Sequence, residues 1–223
     1  MTVARSWRRI HDWLDAHAPA LARTLAPPAS EREIREAEKQ VGKPFPAAFR
    51  HSLKIHNGEE SMLGIFDGAQ LLPLGKVLRS LRSFRDQPEE LRAEPSHPIG
   101  PVKPMWISPS WVPITSSADG RYGVLDFDPA PGGMVGQVVH IDVDSPDREV
   151  VAPGFDVFLE NLASALERGR VVADVGANGD VLGLVDLEAL NAIRKRDARK
   201  KAAPKPRKRS ASAEPSRARK SKR

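Results

Sequence analysis

The chain has 223 residues, 40% of them hydrophobic and 29% charged, which is room for one medium-sized domain with a proper core and an ordinary balance for a cytosolic globular protein. It contains no cysteine, so disulfides, thiolate metal sites and cysteine nucleophiles are excluded. The net charge of +6 divides unevenly: Arg194–Arg223 carries 15 Lys and Arg against only Asp197 and Glu214, a net +13, which leaves −7 for everything before it.

Trp7, Ile10, Trp13, Leu14, Leu21 and Leu25 follow roughly helical spacing, and Pro19 predicts a break after a first helix that ends near His17. His11, Asp12 and Asp15 interrupt the apolar stretch, so it does not resemble a signal peptide. No run of about 20 apolar residues suggests a membrane span. The expected location is the cytoplasm. Ser30 and Glu33 form a capping-box pair at the start of a second helix, and Gly42 suits its end. A third helix is expected from Pro46, with Phe49, Leu53 and Ile55 as apolar surface and Gly58 as its cap.

Beyond Gly58 the period changes. Leu63–Phe66 and Gln70–Leu74 read as short strands or strand ends, and Val77 to Leu91 as another helix or helical turn. Five prolines make 87–105 mostly irregular. Strands are expected at Trp111–Thr115, Tyr122–Phe127, Gln137–Val143 and Glu149–Ala152; turn residues at 128–133 join the second and third as a hairpin. Phe155 to Leu166 has the stripe of an amphipathic helix ending at Gly169, and Val171–Val175 with Val181–Val185 form a second hairpin candidate. A last helix is expected from about Leu187, with no apolar face beyond Ile193. From Lys195 onward nothing can build a core, so the basic tail is expected to be disordered when free.

Several pieces recur in one order: Trp7, Ile10 and Trp13-Leu14; Pro27-Pro28-Ala29-Ser30 with Glu33-Ile34, Glu38 and Val41-Gly42; Phe45-Pro46, Phe49-Arg50 and His56-Asn57-Gly58. Trp111 to Ile114, Asp119-Gly120, Leu125-Asp126, Asp128-Pro129, Gly133, Gly136-Gln137-Val138 and finally Phe155, Phe158-Leu159 complete the series. This order and spacing, over roughly residues 5 to 170, resembles the SUKH superfamily, which includes Smi/Knr-type regulators of fungal cell-wall assembly and many bacterial immunity proteins. The resemblance implies an α+β fold, an antiparallel-rich mixed sheet packed by N-terminal helices and a later amphipathic helix, and a non-enzymatic role. It implies one domain over 1–193, with the Pro-rich stretch and the 194–223 tail as additions to the family pattern.

Candidate contact residues are polar. Asn57, Glu59 and Glu60 form either a partner-binding loop or a helix end with solvated acids. Asp126 and Asp128 would share one strand face, which two carboxylates could use for a cation, or else begin a turn. With Asp142 and Asp144 they suggest an acidic sheet face for a basic partner, or the solvated side of a half-buried sheet. Asp174, Asn178 and Asp180 fit a hairpin turn better than a calcium loop. Six histidines show no ligand pattern except His51 and His56, whose spacing suits one helix face poorly, so no metal site is expected and no cofactor motif is present. The four tryptophans are expected in or near the core.

In the tail, Lys205, Arg207, Lys208 and Arg209 form a cluster suited to salt-sensitive, sequence-blind nucleic-acid contact or to solubilisation. Two functions follow. One is an immunity protein that neutralises a cognate toxin; the other is a regulatory module that recruits a protein while its tail holds nucleic acid.

Overall fold

The computed structural model describes residues 2–66, 68–188 and 190; the expected tail and its cluster Lys205, Arg207, Lys208 and Arg209 lie outside the described residues. Helix α1 (Val3–His17) starts where the Thr2 hydroxyl accepts from Arg5 N–H, and it buries Val3, Trp7, Ile10 and Leu14 along one stripe. The chain breaks before Pro19, as its missing N–H requires, and restarts as the one-turn α2 (Pro19–Ala22). Helix α3 (Glu31–Val41) carries the expected capping box and ends at Gly42, whose φ of 85° is left-handed. Helix α4 (Ala47–Leu53) is shorter than expected, because Gly58 is not its cap. At φ 77°, Gly58 instead lies against the backbone of Leu71–Pro73, where a Cβ would clash at 2.4 Å.

No strand forms at Leu63–Phe66. This stretch is a loop closed by a single bridge between Phe66 and Ala69, followed by the two-residue β1 (Gln70–Leu71). Helix α5 (Leu74–Arg85) and the one-turn α6 (Glu89–Arg92) lead to β2 (His97–Ile99), a strand inside the stretch expected to be mostly irregular. The central strands β3 (Trp111–Ser116), β4 (Arg121–Asp126), β5 (Gln137–Asp142) and β6 (Asp147–Ala152) follow as an antiparallel meander. Helix α7 (Phe155–Glu167) and the hairpin β7 (Val171–Val175) and β8 (Val181–Asp186) complete the described fold.

The six strands order as β1-β3-β4-β5-β6-β2, with only β2 and β6 parallel. The fold is thus α+β with a mostly antiparallel mixed sheet. Both of its faces are covered. Val112, Ile114, Leu125 and Val138 point into the larger core, with Trp7, Ile10, Phe49, Phe155 and Leu159 of the helices. On the opposite face Trp111, Val124, Val139 and Ile141 meet Phe84, Val102 and Ile107. The end of α5, the Pro-rich stretch and the residues just after it therefore cover one side of the sheet, which corrects the expectation of a solvated or acidic face. Near-continuous burial along β3 to β5 is the result, where a sheet with one wet face would show alternation.

The cover is held by Arg148, which is 1% exposed. Its guanidinium stacks on Trp106 at 4.5 Å and donates to the carbonyls of Trp106, Asp142, Ser145 and Asp147 at 2.6–3.3 Å. On the helical side, Arg9 bridges α1 to α7 through Glu160 and Glu167. Trp7 and Trp111 are buried, and Trp13 and Trp106 are partly buried. Among the described residues no helix is long and apolar enough to cross a membrane.

Candidate functional site

A cavity of about 360 Å³ opens between the helical side of the sheet, α7 and the β7–β8 hairpin. Its floor is one row across three strands, since Thr115 of β3 pairs with Gly123 of β4, which pairs with His140 of β5. The missing side chain at Gly123 is what makes this row concave. A Cβ there would stand 2.6 Å from Thr115 Oγ1, which instead accepts from Gly123 N–H at 2.8 Å. Phe158, Leu162 and Ala165 of α7 form one wall, Phe66 and Ala69 another, and the two phenyl rings stack at 4.8 Å. Arg121, Arg170 and His140 bring positive or protonatable groups to this apolar groove, while among the described residues no Asp or Glu lines it. Arg121 is steered by Asp119 at 3.1 Å. The Ser117 hydroxyl, ahead of Arg121, holds the Asp119 carboxyl below its ordinary range. Apolar walls with a few placed polar groups favour binding of an apolar anchor that carries negative charge beside it.

None of the polar candidates among the described residues lines this groove. Asn57 Oδ1 accepts from Leu74 N–H at 2.9 Å, satisfying the first turn of α5. Glu59 is fully buried, which corrects its reading as a solvated acid: Oε2 accepts from Leu71 N–H at 2.6 Å and from Ile65 N–H at 3.4 Å. Desolvation pushes its carboxyl up to about 7, and its Oε1 is buried without a hydrogen-bond partner. Glu60 is exposed.

Asp126 is also buried, and desolvation raises its pKa. Its two oxygens accept from Asp128 N–H and from the Gln137 side chain, so the turn reading is the one the geometry bears out. Asp128 is exposed and paired with Lys103 at 2.6 Å. Asp142 accepts from Asp144 N–H at 2.8 Å in a second local turn. The register sets Asp126 opposite Gln137 and Asp142 opposite Arg121, at opposite ends of the β4–β5 ladder, about 17 Å apart at strand spacing. The four aspartates therefore do not form one acidic face.

Sequence spacing missed a histidine pair. His11 of α1 and His56, which follows α4, meet Nε2 to Nε2 at 2.6 Å, with Trp7 edge-on to His56. They are 45 residues apart, and no local pattern joins them. Among the described residues no group of three or more His, Cys, Asp or Glu is gathered for a metal ion.

Comparisons with known proteins point in one direction. The cell wall assembly regulator SMI1 of Saccharomyces cerevisiae is 26% identical over 74% of this chain and 40% of its own length. The cell wall biosynthesis/cell cycle regulator smi1 of Schizosaccharomyces pombe is 27% identical over 79% of this chain and 38% of its own. The glucan synthesis regulatory protein of Neurospora crassa is 23% identical over 79% and 40%. The chain thus spans about two fifths of the length of these relatives. The SMI1/KNR4 family (SUKH-1) matches residues 28–161, which takes in α3 to α7 up to its middle and the whole six-stranded sheet, and the chain belongs to that family.

Proposed function

We propose that this chain is a non-enzymatic, protein-binding module of the cell-wall-assembly-regulator kind, and that the groove between the sheet and α7 is its binding surface. The observation that carries this reading is the groove itself: apolar walls and cationic groups, with no carboxylate among the described residues that line it. Such a lining suits a peptide segment with an apolar anchor flanked by acidic residues. The fungal relatives are named as regulators, which supports a regulatory role. Toxin neutralisation takes second place, since it draws on the wider superfamily alone. We further take 1–193 as the folded unit and the basic tail as a separate arm that associates with nucleic acid without reading sequence.

The test is a photo-crosslinking residue placed at Asn161, on the groove wall, in the full chain in its native cells. It is expected to trap a discrete protein, whereas the same residue at Asp144 is not. Trapping at Asp144 alone, or at neither position, overturns the groove. A trapped toxin domain would favour the second reading.

A further inference from the structure

We propose that His11 and His56 form a two-histidine site for a divalent transition-metal ion of the zinc class, where α1 meets the segment after α4. The two rings point their Nε2 atoms at one another at 2.6 Å. His56 Nδ1 lies 3.0 Å from the Ala26 carbonyl, which can only accept, so Nδ1 carries the proton and Nε2 of the neutral ring presents a lone pair. A backbone carbonyl behind one ring nitrogen is the arrangement that orients metal-ligating histidines. Trp7 packs edge-on against the His56 ring and is itself fixed by its Nε1–H bond to Ser52 Oγ at 2.9 Å, so the ligand is held from two sides.

Without an ion, the proton between the rings sits on His11 Nε2. On binding, that proton shifts to His11 Nδ1, so both Nε2 lone pairs face the metal and no net proton leaves. A tetrahedral ion about 2.0–2.1 Å from each nitrogen needs them roughly 3.3 Å apart. The pair must open to that distance, which requires the half-buried His11 ring to turn aside. Water completes the shell, since no third His, Cys, Asp or Glu joins the pair among the described residues. Because residue 11 precedes the family match at 28–161, the ion would tie α1 to that match.

The test is calorimetric titration of the full chain with zinc in chelator-free buffer at neutral pH, with imidazole ¹H–¹⁵N spectra of the same samples. The expected result is one saturable site, displaced Nε2 signals for His11 and His56, and binding at least about tenfold weaker in His11→Gln and in His56→Gln. Zinc should also raise the Tm of the wild type and not that of His11→Gln. The His11 variant leaves the Ala26 bond in place, so it stays informative if His56→Gln folds poorly. Unmoved Nε2 signals, or undiminished affinity in His11→Gln, would reduce the pair to a hydrogen bond and overturn the site.

Discussion

Glu59 is drawn into the interior by its backbone as much as by its side chain, because its carbonyl accepts from Gln70 and its N–H donates to Leu71 while Oε2 serves two further amides. The carboxyl then lies where charge is poorly solvated, and its pKa rises from 4.5 to about 7. A raised folded-state value favours the protonated form. This group's contribution to stability is therefore complete below 4.5, falls as pH rises from there to about 7, and stays lost above. The span corresponds to about 3 kcal/mol at most. Urea denaturation of wild type and Glu59→Gln across that window is expected to show the variant gaining relative to wild type as pH rises. A constant difference between the two would contradict it. Sequence reading named Glu59 but put it in solvent, since a carboxylate beside Asn-Gly looks like any polar loop and its amide partners lie 6 and 12 residues away. The His11–His56 contact escaped for the same reason, over a longer gap.

At the scale of elements, what is local was legible. Ser30 and Glu33 satisfy one another's backbone donors within three residues, so the start of α3 could be read directly. Ser30→Ala is expected to lower stability by about 1 kcal/mol in chemical denaturation. The hairpins were legible through their turn residues, and the break before Pro19 through the chemistry of proline. The Pro-rich stretch was not legible as a cover. Its prolines argue against regular structure, whereas its role depends on Val102, with Ile107 just beyond it, meeting strands that come later in the chain. Arg148 joins that cover to the turn between β5 and β6, and its loss would take a charged donor from four carbonyls of the loop and turn. Arg148→Ala is expected to cost about 3 kcal/mol and to speed hydrogen exchange at Trp106 and Ile107; Arg148→Lys, lacking the planar fork, should not restore the protection.

For the whole molecule, the family and the α+β fold could be read from the order of motifs, and the groove could not. Its walls come from the loop before β1, the middle of the sheet, α7 and the chain after α7, and its concavity depends on the one missing side chain at Gly123. Charge is the other whole-molecule property, an acidic body joined to a strongly cationic segment. Removing 195–223 is expected to abolish salt-dependent association with nonspecific DNA and to leave crosslinking at Asn161 intact. DNA binding that persists in the truncated chain, measured as a function of salt, would place the contact on the body instead.

The sheet's middle and its margins differ in how far each strand must search for its neighbour. From β3 to β6 every partner is the next strand along, so assembly can zip outward through short closures. One of the two edge strands, β2, waits for residues 50 positions downstream, is three residues long, and contains Pro98, which has no amide hydrogen to give. That margin should dock late and come away early, so that amide exchange at His97 and Ile99 outpaces exchange at Val124 and Val139.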